Sequence, residues 1–160
     1  MDVRLREVRE DDLPILFEHQ RDPAAVAMAG VPSRDRQAFL EHWRRILADG
    51  SLMARTVVVD GRVAGNVVAF ADDDGRRLIG YWLGREHWGM GVGTGAVAAF
   101  LRLETTRPLY ARVVAENRGS IRILERSGFR VVGRGRTPNG AEDLMMALDE
   151  PARTPPGPGR

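Results

Sequence analysis

Residues 85–96 read Arg85-Glu86-His87-Trp88-Gly89-Met90-Gly91-Val92-Gly93-Thr94-Gly95-Ala96. Glycine falls on alternate positions, at Gly89, Gly91, Gly93 and Gly95. An apolar, strand-like run, Ile79-Gly80-Tyr81-Trp82-Leu83, precedes it, and an apolar, helix-like run, Val97-Ala98-Ala99-Phe100-Leu101, follows. Glycines crowded between a strand and a helix mark a place where something approaches the backbone closely. Bare N–H groups at a helix start favour a bound anion, often a phosphate.

Upstream of the loop the chain reads as a meander. Met53 to Val59 is β-rich, Asp60-Gly61 signals a two-residue hairpin, and Arg62 to Phe70 returns, with Gly65 suggesting a bulge. Asp72-Asp73-Asp74-Gly75 reads as a solvated turn before a third strand, Arg77 to Leu83. Further upstream, Val3 to Val8 alternates in polarity as a first strand, and Leu13-Pro14 opens a helix running to about Arg21. Asp22-Pro23 starts a short turn or helix over 24–28, and Gly30-Val31-Pro32 breaks the chain. Ser33 is the expected N-cap of a helix reaching Ala48, with Phe39, Trp43, Ile46 and Leu47 as its apolar stripe and His42 packed beside it. Downstream, a helix is expected over about 93–105, a strand over 109–115, and a helix over 117–127 with Asn117 as N-cap and Gly128 as its terminal glycine. Strands from Phe129 and over 144–148 complete the order. Residues 1–149 make one domain, and the Pro/Gly-rich tail, 150–160, is expected to be disordered.

Composition narrows the function classes. The chain has 160 residues and no cysteine, so disulfides, zinc-thiolate sites and thiol nucleophiles are excluded. No apolar run approaches the roughly 20 residues that span a bilayer. The N-terminus is charged and lacks a signal-peptide core, so a cytoplasmic protein is expected. Net charge is only +2 while the pI is about 9.9, because all 24 basic residues are arginine. That pI leaves an RNA-associated protein as one reading and compositional bias as the other. A Walker A loop requires lysine, so the glycine loop is not of that type.

Gly91-Val-Gly93-Thr-Gly-Ala96 also matches the dinucleotide fingerprint, with Glu116 25 positions after Gly91. Its context does not. That fingerprint follows its strand directly and opens the fold, whereas here seven residues separate Leu83 from Gly91 and a meander comes first.

A family match accounts for more. The segment from Gly80 to Ala96, followed by Asn117-Arg-Gly-Ser120-Ile-Arg-Ile-Leu-Glu-Arg126-Ser-Gly128-Phe129, resembles the GNAT acetyltransferases, and within them the branch typified by the RimJ and RimL ribosomal-protein N-terminal acetyltransferases. The resemblance spans most of residues 1–149. It implies an α+β (mixed α/β) fold: a central, mostly antiparallel sheet of about seven strands, flanking helices and one splayed strand pair. It implies acetyl-CoA as co-substrate, with no metal and with a primary amine as acceptor, either a protein N-terminus or a small molecule. The backbone from Met90 to Thr94 would hold the pyrophosphate within the loop Trp88, Gly89, Met90, Gly91, Val92, Gly93 and Thr94. Trp82, Leu83 and Gly84 would border the pantetheine arm in the gap between the third meander strand and the next one, with a main-chain N–H near Leu83 polarising the thioester carbonyl. Asn117 and Ser120 would face the arm and its sulfur, and Arg122 and Arg126, in a stripe with Arg118, would reach phosphate or adenine.

Three positions depart from the family pattern. Leu124 stands where many members place a tyrosine as general acid, leaving Ser120 as the candidate acid. Trp88 replaces a glutamine or arginine of other branches, and Gly95 a glutamate frequent in this one. Candidate bases for the amine proton are Glu86, His87, His19 and Asp22. The acceptor pocket is expected between the segment 17–31 and the strand bearing Trp82. Leu124 and Gly95 also admit a CoA-binding module without catalysis. No membrane partner is expected, nucleic acid is the lesser alternative, and a homodimer is compatible with the reading.

Overall fold

The structure is a computed structural model and describes residues 1–29 and 32–149. The expected break at Gly30-Val31 and the expected tail lie outside the described residues, apart from Pro32.

Seven strands form one sheet in the order β1-β2-β3-β4-β5-β7-β6. β1 (Val3–Glu7), β2 (Met53–Val59), β3 (Arg62–Ala71) and β4 (Arg77–Leu83) make an antiparallel group. β5 (Leu109–Val114), β6 (Arg130–Arg136) and β7 (Glu142–Leu148) make a second. The groups meet where β4 and β5 run parallel, and a single registered pair, Leu78 with Tyr110, joins them. Past that pair both strands continue unpaired to each other, which is the splayed pair expected from the sequence. The mixed α/β, seven-stranded, mostly antiparallel architecture is as expected.

α1 (Leu13–Arg21) and α3 (Arg36–Ala48) cover one face, and α4 (Val92–Leu101) and α5 (Arg118–Arg126) cover the other. The first face packs on Leu13, Leu16, Phe17, Phe39 and Trp43, the second on a larger cluster around Val57, Val67, Val97, Phe100, Leu109 and Met146. α2 (Pro23–Ala29) runs from α1 toward β5. None of the described helices is long and apolar enough to cross a membrane.

Polar pins set the entry to α1. The buried Asp12 carboxylate accepts from both Arg6 guanidinium nitrogens at 2.7 and 2.8 Å, from Arg9 N–H at 2.8 Å and from Thr56 Oγ1 at 2.8 Å. Burial by itself would raise its pKa; the hydrogen bonds from Arg6, Arg9 and Thr56 outweigh it and leave the carboxyl below its ordinary value of 3.8.

Three local expectations are corrected. α3 is capped by Asp35, whose Oδ1 accepts from Ala38 N–H at 2.8 Å, and not by Ser33 two residues earlier. Leu47 leaves the stripe and is 43% exposed, because at 3.6 residues per turn it lies about 80° round from Phe39. α4 stops at Leu101, where the N–H groups of Leu103 and Glu104 both close on Phe100 O at 2.9 Å. The bulge expected in β3 is present: Ala64, beside Gly65, is the extra residue as the register moves from Val57 opposite Gly65 to Val58 opposite Val63. Gly65 itself is needed for a close approach: a Cβ there would stand 2.1 Å from Trp82 O. The aspartate run is a turn, as expected, with Asp72 Oδ1 accepting from Asp74 N–H at 3.0 Å and Arg76 N–H at 2.8 Å.

Candidate active site

The splayed end of the sheet is built from strand alternation. Gly84 N–H donates to Ala64 O at 2.8 Å. The β3–β4 register continues from there with Gly65 opposite Leu83. In antiparallel pairing hydrogen-bonded pairs alternate with unbonded ones, so Leu83 and Tyr81 turn their N–H groups away from β3 and into the gap toward β5. Gly84, by contrast, has its N–H committed.

The loop after β4 then folds back. Trp88 Nε1 donates to Leu83 O at 3.1 Å, which ties the loop over the end of the strand. Gly91 is the residue before α4, at φ 82° and ψ 2°, a left-handed geometry that favours glycine. Among the described residues no backbone carbonyl accepts from the N–H groups of Met90 to Thr94. They are the orphan donors of a helix start, gathered where the helix dipole is positive. The four glycines serve different ends. Gly89 and Gly91 supply positive φ. Gly93 lets α4 meet α5, since a Cβ there would lie 2.4 Å from Ile123 Cδ1, and Gly95 sits against Val3 of β1.

α5 forms the opposite wall. Asn117 caps it as expected, its Oδ1 accepting from Ser120 N–H at 3.2 Å, while its Nδ2 donates to Met28 O of α2 at 3.3 Å. Between the walls lies a cleft of about 680 Å³. Of the residues expected at the site, Trp82, Leu83, His87, Trp88, Gly89, Gly91, Val92, Gly93, Thr94, Asn117, Ser120, Arg122 and Arg126 line it. Gly84, Met90 and Glu86 do not; Met90 is 52% exposed. Arg118, Arg122 and Arg126 all line the cleft, as do Gly91 to Thr94 of the glycine loop. A smaller cavity of about 150 Å³ continues down the gap, lined by Ile79, Gly80 and Tyr81 of β4 and residues 111–114 of β5.

A titratable cluster sits at the β4 end. Glu86 Oε1 lies 3.9 Å from His19 Nε2 and 3.7 Å from His87 Nε2. His87 lines the cleft, while Glu86 does not and its side chain is 67% exposed. His19 is buried on α1, its Nδ1 has no hydrogen-bond partner among the described residues, and its carbonyl accepts from Trp82 Nε1 at 3.1 Å. Burial lowers its pKa below 6.5, His87 adds to that, and Glu86 works against it. Asp22 lies 3.7 Å from Arg85, and its Oδ1 accepts from Ala24 N–H at 2.9 Å, a local capping role.

Sequence reasoning did not single out Tyr81. Its hydroxyl stands 2.5 Å from Ser120 Oγ and donates to Ser120 O at 3.2 Å. The alternation Ile79, Tyr81, Leu83 places it on the α5 side of β4, but nothing in the spacing pairs it with a residue 39 positions on. Leu124 is 1% exposed and belongs to the core, so its side chain is spent on packing.

No curated protein matches the chain. Among solved structures, the aminoglycoside acetyltransferase AAC(6')-Ib in complex with coenzyme A is similar at 23% identity and a TM-score of 0.77, covering 92% of this chain and 95% of that one. Spermidine N-acetyltransferase from Vibrio cholerae, in complex with CoA and spermine, is similar at 16% identity and a TM-score of 0.79, covering 92% and 95%. A GNAT-family acetyltransferase from Bacillus anthracis is similar at 15% identity and a TM-score of 0.78, covering 92% and 94%. These likenesses bear on the fold. The family model described as acetyltransferase (GNAT) domain matches residues 2–130, which is most of the sequence, and the chain belongs to that acetyltransferase family.

Proposed function

We propose that the protein moves an acetyl group from acetyl-CoA to a primary amine by direct attack, the acceptor being a protein N-terminus, as for RimJ- and RimL-type enzymes, or a small-molecule amine. The observation that carries this is the cleft at the split between β4 and β5, with the unpaired amides of Gly91 to Thr94 at one end, next to that of Met90, and strand N–H groups along its wall. The fit to CoA is chemical. The amides at the α4 start suit the pyrophosphate, and Arg122 and Arg126, with Arg118, suit the remaining phosphate. The N–H groups of Tyr81 and Leu83 suit the amides and carbonyls of pantetheine, as an added strand would.

In this reading the Leu83 N–H donates to the thioester oxygen as it gains charge. Holding both reactants in one geometry supplies much of the rate. His87, which lines the cleft and has its Nε2 3.7 Å from Glu86 Oε1, takes the proton from the attacking amine. Ser120 lies beside the departing sulfur. Trp82, anchored to α1 through His19 O, borders the face by which the amine approaches. Two similar structures hold CoA, one of them with spermine, which supports an amine acceptor for this chain.

Calorimetry with acetyl-CoA tests the cleft: binding is expected in the wild type and its loss in Gly91→Val, because a β-branched residue at φ 82° forces the loop amides off their positions. An undiminished affinity in Gly91→Val overturns the loop assignment. Release of free CoA during turnover with a panel of amines separates catalysis from binding alone.

A further inference from the structure

We propose that Tyr81 is a positioning residue: its hydroxyl aims the Ser120 hydroxyl at the CoA sulfur, so that the pair holds the departing thiolate by hydrogen bonding while neither hydroxyl gives up its proton. This rests on the reading that acetyl-CoA occupies the cleft with its sulfur beside Ser120.

Tyr81 and Ser120 line both the main cleft and the smaller cavity beside it, together with Met28, Ala29 and Asn117. The 2.5 Å separation of their hydroxyl oxygens is a short O–H···O distance, and either atom can be the donor. Two proton arrangements follow. In one, Tyr81 donates to Ser120 O and the Ser120 hydrogen turns back to Tyr81. In the other, Tyr81 donates to Ser120 Oγ and the Ser120 hydrogen is free to face the cleft. Negative charge growing on sulfur selects the second. Asn117 fixes the Ser120 backbone through the α5 cap, so only the hydroxyl hydrogens need to move.

The acidities decide what the pair does. Burial pushes the Tyr81 phenol up to about 12, against the opposing effect of its Ser120 hydrogen bond. A thiol titrates near 8.5, so a thiolate is too weak a base to take a proton from this phenol, and an aliphatic hydroxyl is weaker still as an acid. The step therefore balances without them. The amine nitrogen bonds to the acetyl carbon, the carbon–sulfur bond breaks, and its electron pair stays on sulfur. The surplus amine proton goes to His87 or to water. Both hydroxyls stay protonated.

The consequence is measurable without knowing the amine. In the complex with CoA alone, the same hydrogen bonds stabilise the free thiolate. The thiol of bound CoA is read by its ultraviolet thiolate absorbance as pH is varied, with the complex of desulfo-CoA as baseline. The wild type is expected to favour the thiolate about tenfold more than Tyr81→Phe or Ser120→Ala. The double variant should be no worse than either single change, because one device has been removed. Ser120→Thr, which keeps a hydroxyl, should retain the effect. The charged groups bordering the pair, His87, Glu116, Arg118, Arg122, Arg126 and Arg112, are common to all variants, so differences report the hydroxyls. Equal thiol titration in the wild type and Tyr81→Phe, with CoA bound alike, overturns the proposal. If Tyr81→Phe does not fold, equal titration in the wild type and Ser120→Ala overturns it just as firmly. Failure of the wild type to bind CoA is a different result: it sinks the reading of the cleft itself.

Discussion

Gly91 and Gly93 sit two residues apart and do unrelated work, and single substitutions should tell them apart. Gly91 has open space where a Cβ would go but a positive φ, whereas Gly93 has ordinary φ and a side chain, Ile123, in the way. Gly93→Val should therefore destabilise the fold by about 1–3 kcal/mol through overpacking between α4 and α5, read as a lower midpoint in urea. Gly91→Val should act mainly on CoA affinity. The sequence showed alternate glycines and one shared purpose, close approach of a ligand. It did not show which glycine met a helix and which met solvent, because that depends on α5, some 30 positions away. His87 is open to an equally direct test. With an amine that turns over, His87→Gln should lower kcat by about 10²-fold, the lower range for loss of a general base, and leave the affinity for CoA unchanged. A kcat within twofold of wild type would remove His87 from the role. His19 behaves differently, because it lies behind the cleft wall. Its folded pKa is below 6.5, chiefly through burial. The fold thus keeps its full share of stability from this group above pH 6.5 and loses it as pH falls toward the folded value.

Element ends were the least legible part of the chain, and α1 and α3 show why. Both Ser33 and Asp35 are good capping residues, and pattern alone cannot say which carboxylate or hydroxyl reaches an orphan amide. Asp35 does, at Ala38 N–H. Asp35→Ala should cost about 1 kcal/mol. The strands and their order were readable because alternation and turn residues are local: Asp60 and Gly61 both take the positive φ that a two-residue hairpin needs. Asp12 stands just before the helix that Leu13-Pro14 opens, and its larger role is invisible in the sequence, since Arg6 and Thr56 come from two strands. Removing the charge leaves Arg6 without its partner in a half-buried setting. Asp12→Asn should cost about 3 kcal/mol or more, against about 1 for the exposed Asp35 cap. The pH sign also follows. The folded carboxyl titrates below 3.8, so its contribution is complete above 3.8 and fades as pH falls below it. Urea midpoints for the wild type should drop on acidification, and Asp12→Asn should lack that share of the drop.

At the scale of the whole molecule, two antiparallel half-sheets are joined along one short parallel seam, and the candidate site is the place where the seam fails. The family pattern in the sequence carried the split; it did not carry the tie from Asn117 to Met28, which brings α2 to the same opening. A ligand lying along β4 would act as the missing strand, and the alternation of β4 gives that idea a residue-by-residue test in amide hydrogen exchange. Gly80, Trp82 and Gly84 direct their N–H groups at β3, the last of these at Ala64 O. Tyr81 and Leu83 direct theirs into the gap. In the free protein the amides of Tyr81 and Leu83 should exchange faster than those of Gly80 and Trp82 between them. Saturating CoA should slow Tyr81, Leu83 and the loop amides from Met90 to Thr94, and leave Gly80 and Trp82 where they were. Ile79, whose neighbour Leu78 is paired with Tyr110 at the seam, should change little. Uniform slowing along β4 would instead mean that CoA tightens the sheet as a body, and protection confined to the loop would mean that pantetheine does not pair with the strand.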